Sequence, residues 1–280
     1  MTEDAAPSSG LKTRLISAAV GIPVVLLFIW LGVWGVAALV LAALLVAGYE
    51  LCEMAKARQW DRPVFLFLAP LLGLVLLWSI VDDDATTATA TTVFIVLAII
   101  LVSIATRMIA YGPVRGLERG TFLYLFAAAY FGLTLGHAPL VIDLEDGRDW
   151  MLLGILVTFA VDTGSYFTGR AIGRTPLAPR ISPKKTREGV VGGAVSAVVA
   201  AIALAAIFDL PIAIWQSALL GLAMTATGVA GDLFESWIKR RAGVKDSGRL
   251  IPGHGGILDR IDSLAPNIAV VYWGAQLILN

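Results

Sequence analysis

Apolar runs long enough to cross a bilayer dominate the chain, and short polar loops separate them. A spanning helix needs about 20 consecutive, mostly apolar residues. The pattern predicts nine, over 14–32, 34–54, 63–81, 88–106, 120–142, 151–173, 189–208, 211–236 and 261–279. The first exceeds the apolar core of a signal peptide and is followed at once by a second run, so it is expected to stay in the mature protein. Residues 1–11 read as a polar, disordered tail, and the sequence has no internal repeat or low-complexity tract. The expected fold is all-α: a polytopic helical bundle embedded in a membrane.

Composition removes the alternatives. Hydrophobic residues make up 58% of the 280 and charged residues 15%, with a mean hydropathy of +0.82. Soluble domains run nearer 45–50% apolar and ~25% charged, which excludes an ordinary soluble enzyme, a disordered chain and a nucleic-acid binder. The single cysteine, Cys52, rules out an intramolecular disulfide and any cysteine-based zinc site, and reads as a small buried apolar residue.

The 21 basic and 21 acidic side chains balance in total but are sorted along the chain. Basic residues in short loops stay on the cytoplasmic side. With the N-terminus inside, every Lys and Arg except Arg148 falls on that side. The opposite loops hold Asp82, Asp83, Asp84, Asp143, Glu145, Asp146, Asp149 and Asp209, read as solvated acidic termini. An odd number of spans leaves Asn280 outside.

Candidate chemistry then lies in polar residues within spans and in two long cytoplasmic loops, because an ionisable group in hydrocarbon is by default a functional candidate. Asp162, near the middle of its span, shares a helical face with Ser165, Tyr166 and Gly169. Asp232, Glu235, Ser236 and Lys239 form a second stripe, and Asp259 and Asp262 stand where the ninth span begins. Each acid has a structural reading. Asp259 could cap a helix with Asp262 in its first turn, Asp162 could accept bonds from neighbouring hydroxyls, and Glu235 could pair with Lys239. Their company argues otherwise: carboxylates beside clustered cations suit a polyphosphate–Mg²⁺ site, the acids holding a hard cation and Lys and Arg neutralising phosphate oxygens.

The first loop contains Arg180, Ser182-Pro183-Lys184-Lys185-Thr186-Arg187-Glu188-Gly189 and, beyond it, Gly192 and Gly193. A helix starting there would aim its N-terminal amides at an anion, whereas a plain cytoplasmic anchor would explain only the charge. The second runs through Ser236-Trp237-Ile238-Lys239-Arg240, Lys245-Asp246-Ser247-Gly248 and Ile251-Pro252-Gly253-His254-Gly255-Gly256-Ile257-Leu258-Asp259-Arg260-Ile261-Asp262. Glycines around His254 permit close backbone approach to a ligand. His137 reads as structural.

The stretch from Ser236 to Asp262 resembles the signature of the phosphatidate cytidylyltransferases, or CDP-diacylglycerol synthases: S-x-hydrophobic-K-R, K-D, then P-x-H-G-G-x-x-D-R-x-D. The block from Asp162 to Arg170, the block from Ser182 to Gly189, and Gly231-Asp232 are similar to other blocks of that family, with Ser165 where its pattern has alanine. The likeness covers roughly 151–280. The organisation that follows is a cytoplasmic tail over 1–13, scaffold helices over 14–150, and a catalytic membrane region over 151–280 with cytoplasmic loops at 170–188 and 237–260.

The resemblance implies the reaction CTP + phosphatidate → CDP-diacylglycerol + pyrophosphate at the cytoplasmic face of a bacterial cell membrane. It implies Asp232 and Asp259 as metal ligands, with Asp162 and Asp262 as further ligands or orienting groups. Ser182, Lys184, Lys185, Arg187, Lys239, Arg240, Lys245 and Arg260 would hold phosphates, and His254, Gly255 and Gly256 would contact the nucleotide. Mg²⁺ is the implied cofactor, with a second cation, monovalent or divalent, left open. CTP, phosphatidate and membrane lipid are the implied partners, nucleic acid is not, and a homodimer is left open. Two alternatives stand beside this. A CTP-dependent lipid kinase of related architecture would transfer the γ-phosphoryl group, while an ion-coupled transporter would place its acids at the midplane on broken, repeated helices. The D-G-x-x-A-R pattern of the CDP-alcohol phosphotransferases is absent.

Overall fold

The computed structural model describes residues 11–56, 127, 129–248 and 255–279. The expected spans at 63–81 and 88–106, the first part of that at 120–142, and the acidic loop at 82–84 lie outside the described residues. Ten elements follow in order: α1 (Leu11–Trp30), α2 (Val33–Lys56), α3 (His137–Asp143), α4 (Gly147–Ile172), β1 (Pro176–Ala178), β2 (Ser182–Thr186), α5 (Arg187–Ile207), α6 (Ile214–Ala242), α7 (Leu258–Ile261) and α8 (Leu264–Leu279).

Among the described residues, four helical stretches are long and apolar enough to cross a membrane: Val33–Met54, Gly147–Ile172, Arg187–Ile207 and Ile214–Ala242, with Leu15–Trp30 a shorter apolar helix. At about 1.5 Å per residue, the 29 residues of α6 are more than a ~30 Å hydrocarbon core needs, and its last turn carries Lys239, Arg240 and Arg241. The ninth expected span divides. Four residues form α7, the chain breaks at Asp262 and Ser263, and α8 continues for 16 residues.

Helices α4, α5 and α6 pack side by side, and α8 closes against α6, α4 and α3. Small residues let α4 and α5 approach, as membrane helices require where lipid is as apolar as their own side chains. A Cβ on Gly164 would strike the Ser196 side chain, one on Gly192 would strike Thr168, and one on Gly193 would strike the Ser165 hydroxyl. Gly192 and Gly193, expected to open an anion site, therefore serve helix packing. Deeper in the bundle, Asn267 is fully buried; its amide donates to the Thr158 hydroxyl at 2.9 Å and its carbonyl accepts from the Thr227 hydroxyl at 2.7 Å. That pair of bonds joins α8, α4 and α6. Trp150, Leu153, Met224, Ile238, Leu258 and Ile268 fill the interior, while Val191, Val195 and Val199 form an outward apolar stripe on α5.

One element departs from the all-α expectation. β1 and β2 pair antiparallel, Pro176 opposite Thr186 and Ala178 opposite Ser182. Pro176, Pro179 and Pro183 explain it, since each lacks a donor and biases the residue before it toward extended backbone. His137 is structural, as expected: Trp273 Nε1 donates to its Nε2 at 3.2 Å and its Nδ1 lies 2.6 Å from the Leu133 carbonyl. Arg148, the lone basic residue expected outside, donates to the Trp30 carbonyl at 3.0 Å and ties the start of α4 to the end of α1.

Candidate active site

The end of α4, the hairpin with the start of α5, the C-terminal half of α6, and α7 meet around a cavity of about 500 Å³. Asp162, Ser165, Tyr166 and Gly169 all line it, so the helical face deduced from their spacing is one wall. Asp232 comes from α6, Asp259 from α7, and Asp262 from the break before α8. Four cations, Arg170, Lys184, Lys185 and Arg260, share this lining.

The basic hairpin is held to the cavity by its own polar groups. The Thr186 hydroxyl caps α5 by accepting from the Gly189 amide at 3.1 Å. The Glu188 carboxylate accepts from the amides of Arg174 and Thr175, each at 3.1 Å, and the Arg187 amide donates to the Thr175 carbonyl at 2.9 Å. Behind them, Arg240 donates to the Ile181 carbonyl at 3.3 Å and to the Val244 carbonyl at 3.1 Å. Lys185 is thereby brought into an ion pair with Asp232, whose other oxygen accepts from the Ser236 hydroxyl at 3.2 Å.

Opposite the hairpin, the Lys239 ammonium lies between Glu235 at 2.5 Å and Asp259 at 2.6 Å. The second Asp259 oxygen accepts from the Ser247 amide at 3.2 Å, the Ser247 hydroxyl at 2.9 Å and the Gly256 amide at 3.0 Å. Burial alone would raise the Asp259 carboxyl, but the bonds from Lys239 and the Gly256 amide outweigh it and hold the group below its usual value. The residue at the α7 N-cap is Ile257, without a side-chain cap, so Asp259 is no helix cap. Gly255 has φ +84°, and a Cβ there would lie 3.0 Å from Asp259 Oδ2, two reasons for glycine at that position.

Several expected phosphate-binding residues lie off the cavity wall. Ser182 is half-buried in β2, Arg187 is exposed at the start of α5, and Lys245 is exposed before Ser247. Arg240 braces the hairpin, and Lys239 is enclosed by carboxylates. His254 is outside the described residues.

One acid escaped the sequence reading. Glu50, on α2, is 3% exposed and accepts from the amides of Ile257 and Leu258, each at 2.9 Å; the Ser247 hydroxyl, 3.1 Å from a Glu50 oxygen, shares its one proton between Glu50 and Asp259. The signal was an acid within the apolar run 34–54, the kind of residue that asks for a function.

Among the described residues, no group of three Asp, Glu, His or Cys side chains is close enough to enclose a metal ion. Mg²⁺ is commonly bound through one or two carboxylates, with waters and substrate phosphates completing its shell. The donor set of the cavity is all-oxygen and acidic, and it fits such an ion.

Fold and cavity together define a class: a helical bundle with several helices long and apolar enough to cross a membrane, around a cavity lined by four carboxylates and four cations. Residues 12–278 match the model of the cytidylyltransferase family, and the chain belongs to that family. It is 35% identical over 269 residues to the phosphatidate cytidylyltransferase of Brucella suis, covering 94% of this chain and 93% of that protein. To the protein of the same name from Bacillus subtilis it is 32% identical over 268 residues, covering 90% and 93%. A Mycobacterium leprae relative with that name is 40% identical over 167 residues, covering 60% and 53%. The first two alignments run through the motif-free N-terminal half as well as the signature.

Proposed function

We infer that the chain transfers the cytidylyl group of CTP to phosphatidate, forming CDP-diacylglycerol and releasing pyrophosphate. The observation that carries this is the shared lining of one cavity: four carboxylates and four cations at one end of a membrane bundle. Full-length relatives named for that reaction support it. The clustering of basic loops supports a cytoplasmic placement of the cavity, where CTP is dissolved and the inner leaflet presents its headgroups.

In the reaction a phosphatidate oxygen forms a bond to the α-phosphorus of CTP, and the bond from that phosphorus to the β-phosphate oxygen breaks. The nucleophile is already ionised at neutral pH, so no side chain has to remove a proton. Lys184, Lys185, Arg170 and Arg260 neutralise phosphate oxygens as charge shifts to the leaving pyrophosphate; one preorganised donor of this kind is worth roughly 2.7–4 kcal/mol. Asp232 is the acid we assign to Mg²⁺, with Asp162 and Asp262 completing the acidic wall. Bound there, Mg²⁺ would supply Lewis-acid stabilisation of the phosphoryl oxygens. Asp259, whose oxygens already accept four protein bonds, holds Lys239 and the signature loop against the same cavity.

Incubating the purified protein with CTP, Mg²⁺ and phosphatidate, then examining the lipid by mass spectrometry, tests the reading. A CDP-lipid with equimolar pyrophosphate, dependent on both substrates, is expected. Unchanged lipid with the folded protein would contradict it.

A further inference from the structure

Glu50 belongs to none of the motifs, yet it lies beneath the loop that carries most of them. We propose that Glu50 is a positioning residue: through it α2 fixes the start of α7, and so sets where Asp259 stands in the cavity and where Lys239, bonded to it, lies behind the wall. The N-terminal half is then part of the catalytic apparatus and more than a scaffold.

Three observations carry this. Both oxygens of the buried carboxylate are used on the loop, accepting from the consecutive amides of Ile257 and Leu258; the second of these adjoins Asp259 in the chain. The Ser247 hydroxyl lies 3.1 Å from a Glu50 oxygen and 2.9 Å from Asp259 Oδ2, so one side chain links the two acids. The loop is also shaped to admit Glu50. A Cβ on Gly248 would lie 2.6 Å from its Oε1, and one on Gly256 would lie 2.5 Å from its Oε2. At both positions glycine leaves the space that the carboxylate occupies.

A carboxylate suits this place because it only accepts. Glutamine has the same length but replaces one acceptor with an amide donor, which would face a backbone N–H and leave it unpaired. Loss of a hydrogen bond to a charged group is worth about tenfold or more in an equilibrium constant.

The test compares wild type with Glu50→Gln in lipid nanodiscs, reading amide hydrogen exchange and steady-state kinetics. Over 255–261 the variant should exchange about tenfold faster, with α4 and α5 unchanged. The KM for CTP should rise by about the same factor while that for phosphatidate stays within roughly twofold. Ser247→Ala, which keeps both amide bonds, should change the same quantities in the same direction by less. If Glu50→Gln does not accumulate as folded protein, Ser247→Ala carries the test alone. Wild-type exchange over 255–261, an unmoved KM for CTP, or equal loss of protection in α4 and α5 would overturn the proposal. The kinetic arm rests on the cytidylyl-transfer reading; the exchange arm does not, so failure of one is distinguishable from failure of the other.

Discussion

Asp232 and Lys185 are where the account is most exposed to substitution. Asn in place of Asp232 keeps the size and one carbonyl oxygen but removes the charge that pairs with Lys185 and that a divalent ion needs. Turnover in Asp232→Asn should fall by about 10²-fold or more while the protein still inserts and keeps its thermal midpoint; near-normal kcat at saturating Mg²⁺ would remove Asp232 from the site. The cations should divide by position. Lys185→Ala takes a charge from the cavity wall and should reduce kcat/KM by about 10²-fold. Lys245→Ala takes one from an exposed loop and should stay within about fivefold, the range of a surface charge. The reverse order would contradict the cavity assignment. At this scale the sequence was partly readable. Asp162, Ser165, Tyr166 and Gly169 declared a common face through helical spacing alone. Glu50 did not, because two of its partners are backbone amides some two hundred positions away, and an amide has no residue-type signature.

Among the elements, the contact of α4 with α5 sets the width of the cavity, because Asp162 lies on one helix and the lysine hairpin runs into the other. Gly164→Val would push a branched side chain into Ser196. Overpacking of this kind costs about 1–3 kcal/mol, and it should lower both the thermal midpoint and the activity. Val195→Ala, on the outward face of α5, should leave both within error. Equal behaviour of the two variants would show that the helices are not set by this seam. The long helices were legible because a spanning run has few alternatives. The hairpin was not: its prolines announce the absence of helix, but pairing of β1 with β2 depends on the docking of Arg240 and Glu188, which no local pattern encodes. The division of the ninth span at Asp262 and Ser263 was hidden for a similar reason, since the break serves contacts with α6 and α2.

For the whole molecule, the asymmetry of charge makes an orientation that can be measured. With Cys52 replaced by alanine, cysteine at Arg148 should react with an impermeant thiol reagent on intact cells, and cysteine at Lys184 only after permeabilisation. Reaction at Lys184 before permeabilisation would invert the arrangement and take the cavity away from cytosolic CTP. The membrane class was plain from composition, because 58% hydrophobic residues cannot be kept in water by one small core. The reaction was readable from the signature, whereas the alliance of the two halves through Glu50 became visible only in three dimensions. The central claim concerns which phosphorus of the nucleotide reaches the lipid. Incubating the protein with phosphatidate, Mg²⁺ and CTP labelled either at the α- or at the γ-phosphorus decides it. The α-label should enter the lipid phase and the γ-label should leave as pyrophosphate; γ-label in the lipid, with CDP released, would make the protein a kinase and contradict the account.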